Sequence, residues 1–172
     1  MRKYLILGSV IILTGLVINA LLGGFDPVEP VLVSTNETTL YGWPYEGGYD
    51  SDSLNNRVDN LREILSRSNA AGQLTIVNYI EPTLEKRGMV KEFIGIEWKD
   101  LPAQTAAQFD TLKLTAYNGF QFVVPIKPLV MPSPVRLKKL AEEAAKSMNS
   151  ELLGYSIEQY KNNSLVINYP LK

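Results

Sequence analysis

Residues 38–65 read TTLYGWPYEGGYDSDSLNNRVDNLREIL, and a change of period inside that stretch decides the fold class. From Thr38 to Glu46, Thr39, Tyr41, Trp43 and Tyr45 fall on alternate positions, the period of two that a pleated strand imposes. Gly47-Gly48 then offers a turn, and Asp50, Ser51, Asp52 and Ser53 supply candidate helix caps. Leu54, Val58, Leu61 and Leu65 recur at helical spacing, which predicts a helix from Leu54 to Ser68, stopped by Asn69 and Gly72. Two further strands, Leu74–Ile80 and Met89–Trp98, flank a loop that runs from Glu81-Pro82 to Gly88.

The same order returns downstream. Extended segments are expected at Thr111–Tyr117 and Phe120–Ile126, with Asn118-Gly119 between them as a hairpin signal. Ser133 caps a second helix, Pro134–Asn149, with Pro134 at its first position and Leu137, Ala141, Ala144 and Met148 as its apolar stripe. Tyr155–Tyr160 and Leu165–Leu171 close the copy around an Asn162-Asn163 turn. The four apolar positions of the first helix precede their counterparts by 83 residues each, and Gly72 precedes Gly154 by 82. An internal duplication explains so constant an offset. The expected fold is α+β: duplicated strand-helix-strand-strand units, about 31–100 and 101–172, sharing one antiparallel sheet with two helices, preceded by one transmembrane helix.

That membrane segment is read from charge. Between Tyr4 and Phe25 there is no charged residue, and the stretch is long and apolar enough to cross a bilayer. Arg2 and Lys3 precede it and Asp26 and Glu29 follow, so the positive-inside rule puts the N-terminus in the cytoplasm and the domain on the outer, periplasmic or extracellular side. The alternative is a cleaved secretory signal, for which Ile18-Asn19-Ala20 offers only one of the two small residues a cleavage site needs. Residues 1–25 are thus the expected anchor, 26–30 a stiff spacer with two prolines, and 31–172 the globular domain.

Composition excludes whole classes of chemistry. The chain has neither cysteine nor histidine, so disulfides, thiolate or histidine metal sites, histidine-held haem and histidine-based triads are ruled out. With 17 basic and 18 acidic residues, and both Arg2 and Lys3 in the anchor, the domain carries about three net negative charges, which is no nucleic-acid footprint.

Several motifs carry a family likeness: Trp43-Pro44-Tyr45-Glu46-Gly47 before the first helix, the segment Ile76 to Pro82, and the ending from Ile157-Glu158-Gln159-Tyr160 to Ile167-Asn168-Tyr169-Pro170-Leu171. Together with the element order, these resemble the GyrI-like small-molecule-binding domain over residues 31–172. The resemblance implies two pseudo-symmetric halves with a cleft between them, holding an amphipathic and often cationic ligand against aromatic rings and a carboxylate. Ring faces and a carboxylate in a low-dielectric cleft both attract a cation. The candidate ligand-binding residues are Trp43, Tyr45, Tyr79, Glu97, Tyr155 and Tyr160, with no catalytic residue, metal or cofactor expected. Among the strand acids Glu46, Glu92, Glu97 and Glu158, Glu97 stands out, because it points away from Ile94, Ile96 and Trp98 and shares its face with Gly95, which would leave open space. A solvated position on an ordinary amphipathic strand is the competing reading of Glu97. Pro44, which cannot donate a ladder hydrogen bond, is expected to mark an edge or a bulge, and a bulge would aim Trp43 and Tyr45 into the cleft. Some family members place an acid in the last strand, but Val166 to Asn168 holds none. The expected partners are the membrane and a small amphipathic molecule or a protein. Competing functions are a hydrolase using Glu97 with Tyr45 or Tyr79, a haem carrier of the SOUL type, against which the missing histidine argues, and a structural envelope module without a ligand.

Overall fold

The computed structural model describes residues 13–15, 27–68, 72–98, 103–127, 131–161 and 163–172. Eight strands and four helices follow in the order β1 Val31–Thr35, β2 Thr38–Gly48, α1 Asp52–Ser68, β3 Gly72–Tyr79, α2 Pro82–Glu85, β4 Met89–Trp98, α3 Ala103–Ala106, β5 Asp110–Leu114, β6 Tyr117–Pro125, α4 Pro134–Ser147, β7 Tyr155–Lys161 and β8 Ser164–Pro170. All eight strands join one antiparallel sheet in the order β1-β6-β8-β7-β3-β4-β2-β5. Exchange β1–β4 for β5–β8 and that order reads the same from the opposite edge. Each half therefore lends its first strand to the other half's edge, β1 to β6 and β5 to β2.

Both helices cover the same face of the sheet. Leu61 of α1 sits on Leu74, Ile76, Ile94 and Ile96, while Leu137, Ala141 and Ala145 of α4 sit on Phe120, Phe122, Val124, Leu165 and Ile167. The register links the two layers, since Ile94 faces Ile76, Ile76 faces Glu158 and Glu158 faces Ile167. Ser51 caps α1 by accepting from the Leu54 amide at 3.3 Å, and Ser133 caps α4 by accepting from Arg136 at 3.3 Å. Neither α1 nor α4 covers the opposite face. Leu40, Val77, Phe93, Leu114 and Ile157 nevertheless bury one another there, from five neighbouring strands. A flat sheet would leave them in water, so this bare face curls into a trough.

Several expectations change. β1 was not expected, and Asn118-Gly119 is no turn: both residues lie inside β6, whose partners are β1 and β8 rather than β5. Gly119 is instead a close approach, where a Cβ would stand 2.7 Å from the Tyr169 carbonyl oxygen. β2 runs on through Gly47 and Gly48, so the turn falls later, at Tyr49-Asp50. Pro44 marks an edge and not a bulge: it stays in register with Phe93, beyond the stretch paired with β5. Its carbonyl accepts from Arg57, so the side from which its N–H is missing is the free edge, where no ladder bond is lost. Met148 lies past the end of α4 and is exposed, and Ala145 takes its place in the buried stripe. No helix among the described residues is long and apolar enough to cross a membrane. The anchor segment Tyr4–Phe25 falls outside the described residues except for Leu13–Gly15, which are helical.

Candidate functional site

The trough holds a cleft of about 660 Å³ to which both halves contribute. Its lining includes Thr75 and Glu97 from the first half and Tyr117, Gln121, Gln159 and Asn168 from the second. The polar groups of the second half are tied to one another and to Glu97. Gln121 donates from Nε2 to Asn168 Oδ1 at 3.0 Å, and Gln159 Nε2 approaches Glu97 Oε2 at 3.5 Å. Glu97 has no ion-pair partner among the described residues. It also lines an adjoining hollow of about 500 Å³ with Thr38, Tyr41 and Lys113, so its carboxylate stands between two open volumes. Exposed Lys161 is the cation that lines the main cleft.

Alternation along the strands sorts the sequence candidates. Glu97 pairs with Leu40 and Gln73, and Tyr79 with Tyr155 and Lys91, so Glu97, Tyr79 and Tyr155 all lie on the helix-free face, but of them only Glu97 lines the cleft. The Tyr79 and Tyr155 rings lie 6.3 Å apart at 55° and pack with the buried trough residues. Trp43, Tyr45 and Tyr160 lie on the opposite, helix-covered face, so the six candidates do not form one site. Trp43 packs on Phe109 with ring centroids 5.1 Å apart. Tyr45 is buried in the first-half core, and its hydroxyl is committed to the turn before α1, donating to the Gly48 carbonyl and pairing with Ser51 Oγ, each at 2.8 Å. The space expected beside Gly95 is absent as well. A Cβ there would meet Phe93, the Tyr41 carbonyl and Leu40 at 3.0 to 3.3 Å, so this glycine serves close strand packing against Gly42 opposite it.

Tyr117 is the aromatic absent from the sequence candidates, because local rules end a strand there, before the Asn118-Gly119 pair. It lines the cleft, and burial is the main cause that raises its phenol pKa, with the charges of Tyr155 and Glu97 adding to it. Burial likewise raises Tyr155, helped by Tyr79. On the helix-covered face, burial and then the charge of Glu158 push Glu92 up to about 7. Tyr160, near both carboxylates, is pushed up to about 12, mainly by burial. Their strand positions, alternating with Phe93 and Ile157, were the available signal for that second acidic pair.

Solved structures share this fold. The C-terminal domain of EcmrR, of the GyrI-like effector-binding fold, superposes with a TM-score of 0.60 at 11% identity, covering 84% of this chain and 98% of that one. An uncharacterized conserved protein from Listeria innocua gives 0.61 at 9% identity, and a hydrolase from the same organism gives 0.60 at 7%, each covering 84% of this chain and 92% of its own. No family model and no curated protein matches the sequence. At these identities the likeness is one of fold, and it is the fold expected from the GyrI-like motifs.

Proposed function

We propose that the chain is a binding domain that holds a small amphipathic, cationic molecule in the cleft between its halves, carried at a membrane by its N-terminal segment. One observation carries this reading: Glu97 faces a cleft of about 660 Å³ built by both halves, with no ion pair to neutralise it among the described residues. A carboxylate in such a concave place attracts a cation, and the phenol and amides around it orient one. The apolar trough of Leu114, Ile157 and Tyr117 takes the hydrocarbon part. That neighbours of the fold include the EcmrR C-terminal domain and a hydrolase supports a small-molecule site without naming the molecule. The hydrolase reading loses Tyr45, whose hydroxyl is committed to the α1 turn, and Tyr79, though on the Glu97 face, is not among the residues that line the cleft. Native mass spectrometry of the chain purified from its host tests the proposal: a small cation should co-purify and be released by Glu97→Gln. A ligand retained by that variant would place the binding elsewhere.

A further inference from the structure

A second hollow lies on the other face of the sheet, between the first turn of α4 and strands β3 and β7. It measures about 370 Å³ and is lined by Asn78, Ser156, Glu158 and Tyr169, with Ile80, Pro134 and Val135 as its apolar wall. Ser156 is 4% exposed and Tyr169 is 3% exposed, yet neither hydroxyl makes a hydrogen bond among the described residues. Neither is sealed away, because no buried side-chain oxygen or nitrogen is left enclosed without a partner. Both residues line this hollow, so two nearly buried hydroxyls are available to it. The Glu158 carboxylate joins them with no ion pair among the described residues, and burial raises its pKa as expected of a carboxylate with no cation opposite it. Lys138 and Glu85 complete the lining, and Lys138 is not within ion-pair distance of Glu158.

We propose that this helix-side hollow is a second small-molecule site, which takes a primary ammonium carried on a short hydrocarbon group. The donor and acceptor inventory selects the class. Asn78 Oδ1, Ser156 Oγ, Tyr169 Oη and the Glu158 carboxylate can all accept, the two hydroxyls being able to donate as well, and a primary ammonium brings three N–H donors to them. A quaternary ammonium brings none, so it would leave both hydroxyls unpartnered. An anion would meet Glu158 and Glu85 against the one cation, Lys138. Ile80, Pro134 and Val135 cover the hydrocarbon part, and the volume suits a ligand with one ring.

Titration calorimetry on the full chain in detergent tests this, with phenethylamine as probe and its N,N,N-trimethyl analogue as control. Phenethylamine should lose about tenfold or more in affinity with Glu158→Gln, the scale of a lost charge-assisted hydrogen bond, and a few-fold with Tyr169→Phe. These comparisons are made in the Glu97→Gln background, where the cleft on the other face has lost its charge, so failure here is distinguishable from failure of the cleft proposal. The trimethyl analogue should bind at least tenfold more weakly than phenethylamine in the Glu97→Gln background. Absence of any phenethylamine binding in the Glu97→Gln background would overturn the proposal, as would indifference there to both Glu158→Gln and Tyr169→Phe. A Lys138→Met variant guards against a lysine that swings in to occupy the site in solution: a chain that binds phenethylamine only once Lys138 is removed also contradicts it.

Discussion

Glu92 offers a sharp test of the packing on the helix-covered face. It lies on β4 between Tyr45 and Asn78, and burial, followed by the charge of Glu158, raises its pKa from 4.5 to about 7. A carboxylate whose folded pKa is raised adds stability below its unfolded value and loses it as pH climbs through the folded value. The window is therefore from about pH 4.5 to 7. At 1.36 kcal/mol per unit the full shift corresponds to roughly 3 kcal/mol, and partial solvent access brings the expected effect to about 2 kcal/mol. Glu92→Gln keeps the shape and removes the ionisation. Urea unfolding of residues 26–172 at a series of pH values should show the variant and the parent alike near pH 4, with the variant more stable by about 2 kcal/mol at pH 8. A difference that does not change with pH would show that Glu92 is solvated when folded and that the assigned burial is wrong.

Other variants probe the rest of the frame. Leu61→Ala and Leu137→Ala, at positions 0% and 1% exposed, should each cost about 2–5 kcal/mol in denaturant unfolding, and Leu140→Ala less, because that side chain is only partly buried. Gly119→Ala should lower the melting temperature, since its Cβ would lie 2.7 Å from the Tyr169 carbonyl oxygen; an unchanged value would mean that β6 and β8 are not packed as described. Tyr45→Phe removes the hydroxyl that holds Gly48 and Ser51 and should cost roughly 1–2 kcal/mol while leaving cleft binding intact. The full-length chain should stay with the membrane fraction after a carbonate wash, and a soluble form starting near Leu21 would show that the N-terminal segment is cleaved.

Much of the frame was legible because it rests on local period. The span Met89–Trp98 could be read to the residue, since hydrophobic runs and a flanking glycine bound it. Both helices were visible from their stripes and caps, as was the doubling. What stayed hidden depends on partners far away in sequence. β1 is a largely exposed edge strand, and its sequence Val31-Leu32-Val33-Ser34-Thr35 does not alternate apolar with polar residues. Asn118-Gly119 looks like a turn to any local rule, whereas the glycine is there for Tyr169, fifty residues on. The site suffered in the same way. Strand alternation placed Glu97 correctly opposite Ile94 and Ile96, but the tyrosines could not be assigned to a face without knowing which face the helices cover. Tyr45 and Trp43 were consumed by the first-half core, and Tyr117, beside the cleft, was lost to the supposed hairpin.

The central claim is that Glu97 supplies the charge in a ligand cleft, and one paired titration addresses it directly. A cationic dye and a neutral dye of the same shape are titrated by fluorescence at low salt into the parent chain and into Glu97→Gln. Only the Coulomb term differs between the two proteins, and in a half-open cleft it is worth about tenfold in affinity. The account predicts that the cation binds about tenfold more weakly to the variant while the neutral dye binds both equally. Equal affinity of the cation for both would contradict it, leaving Glu97 a solvated strand residue.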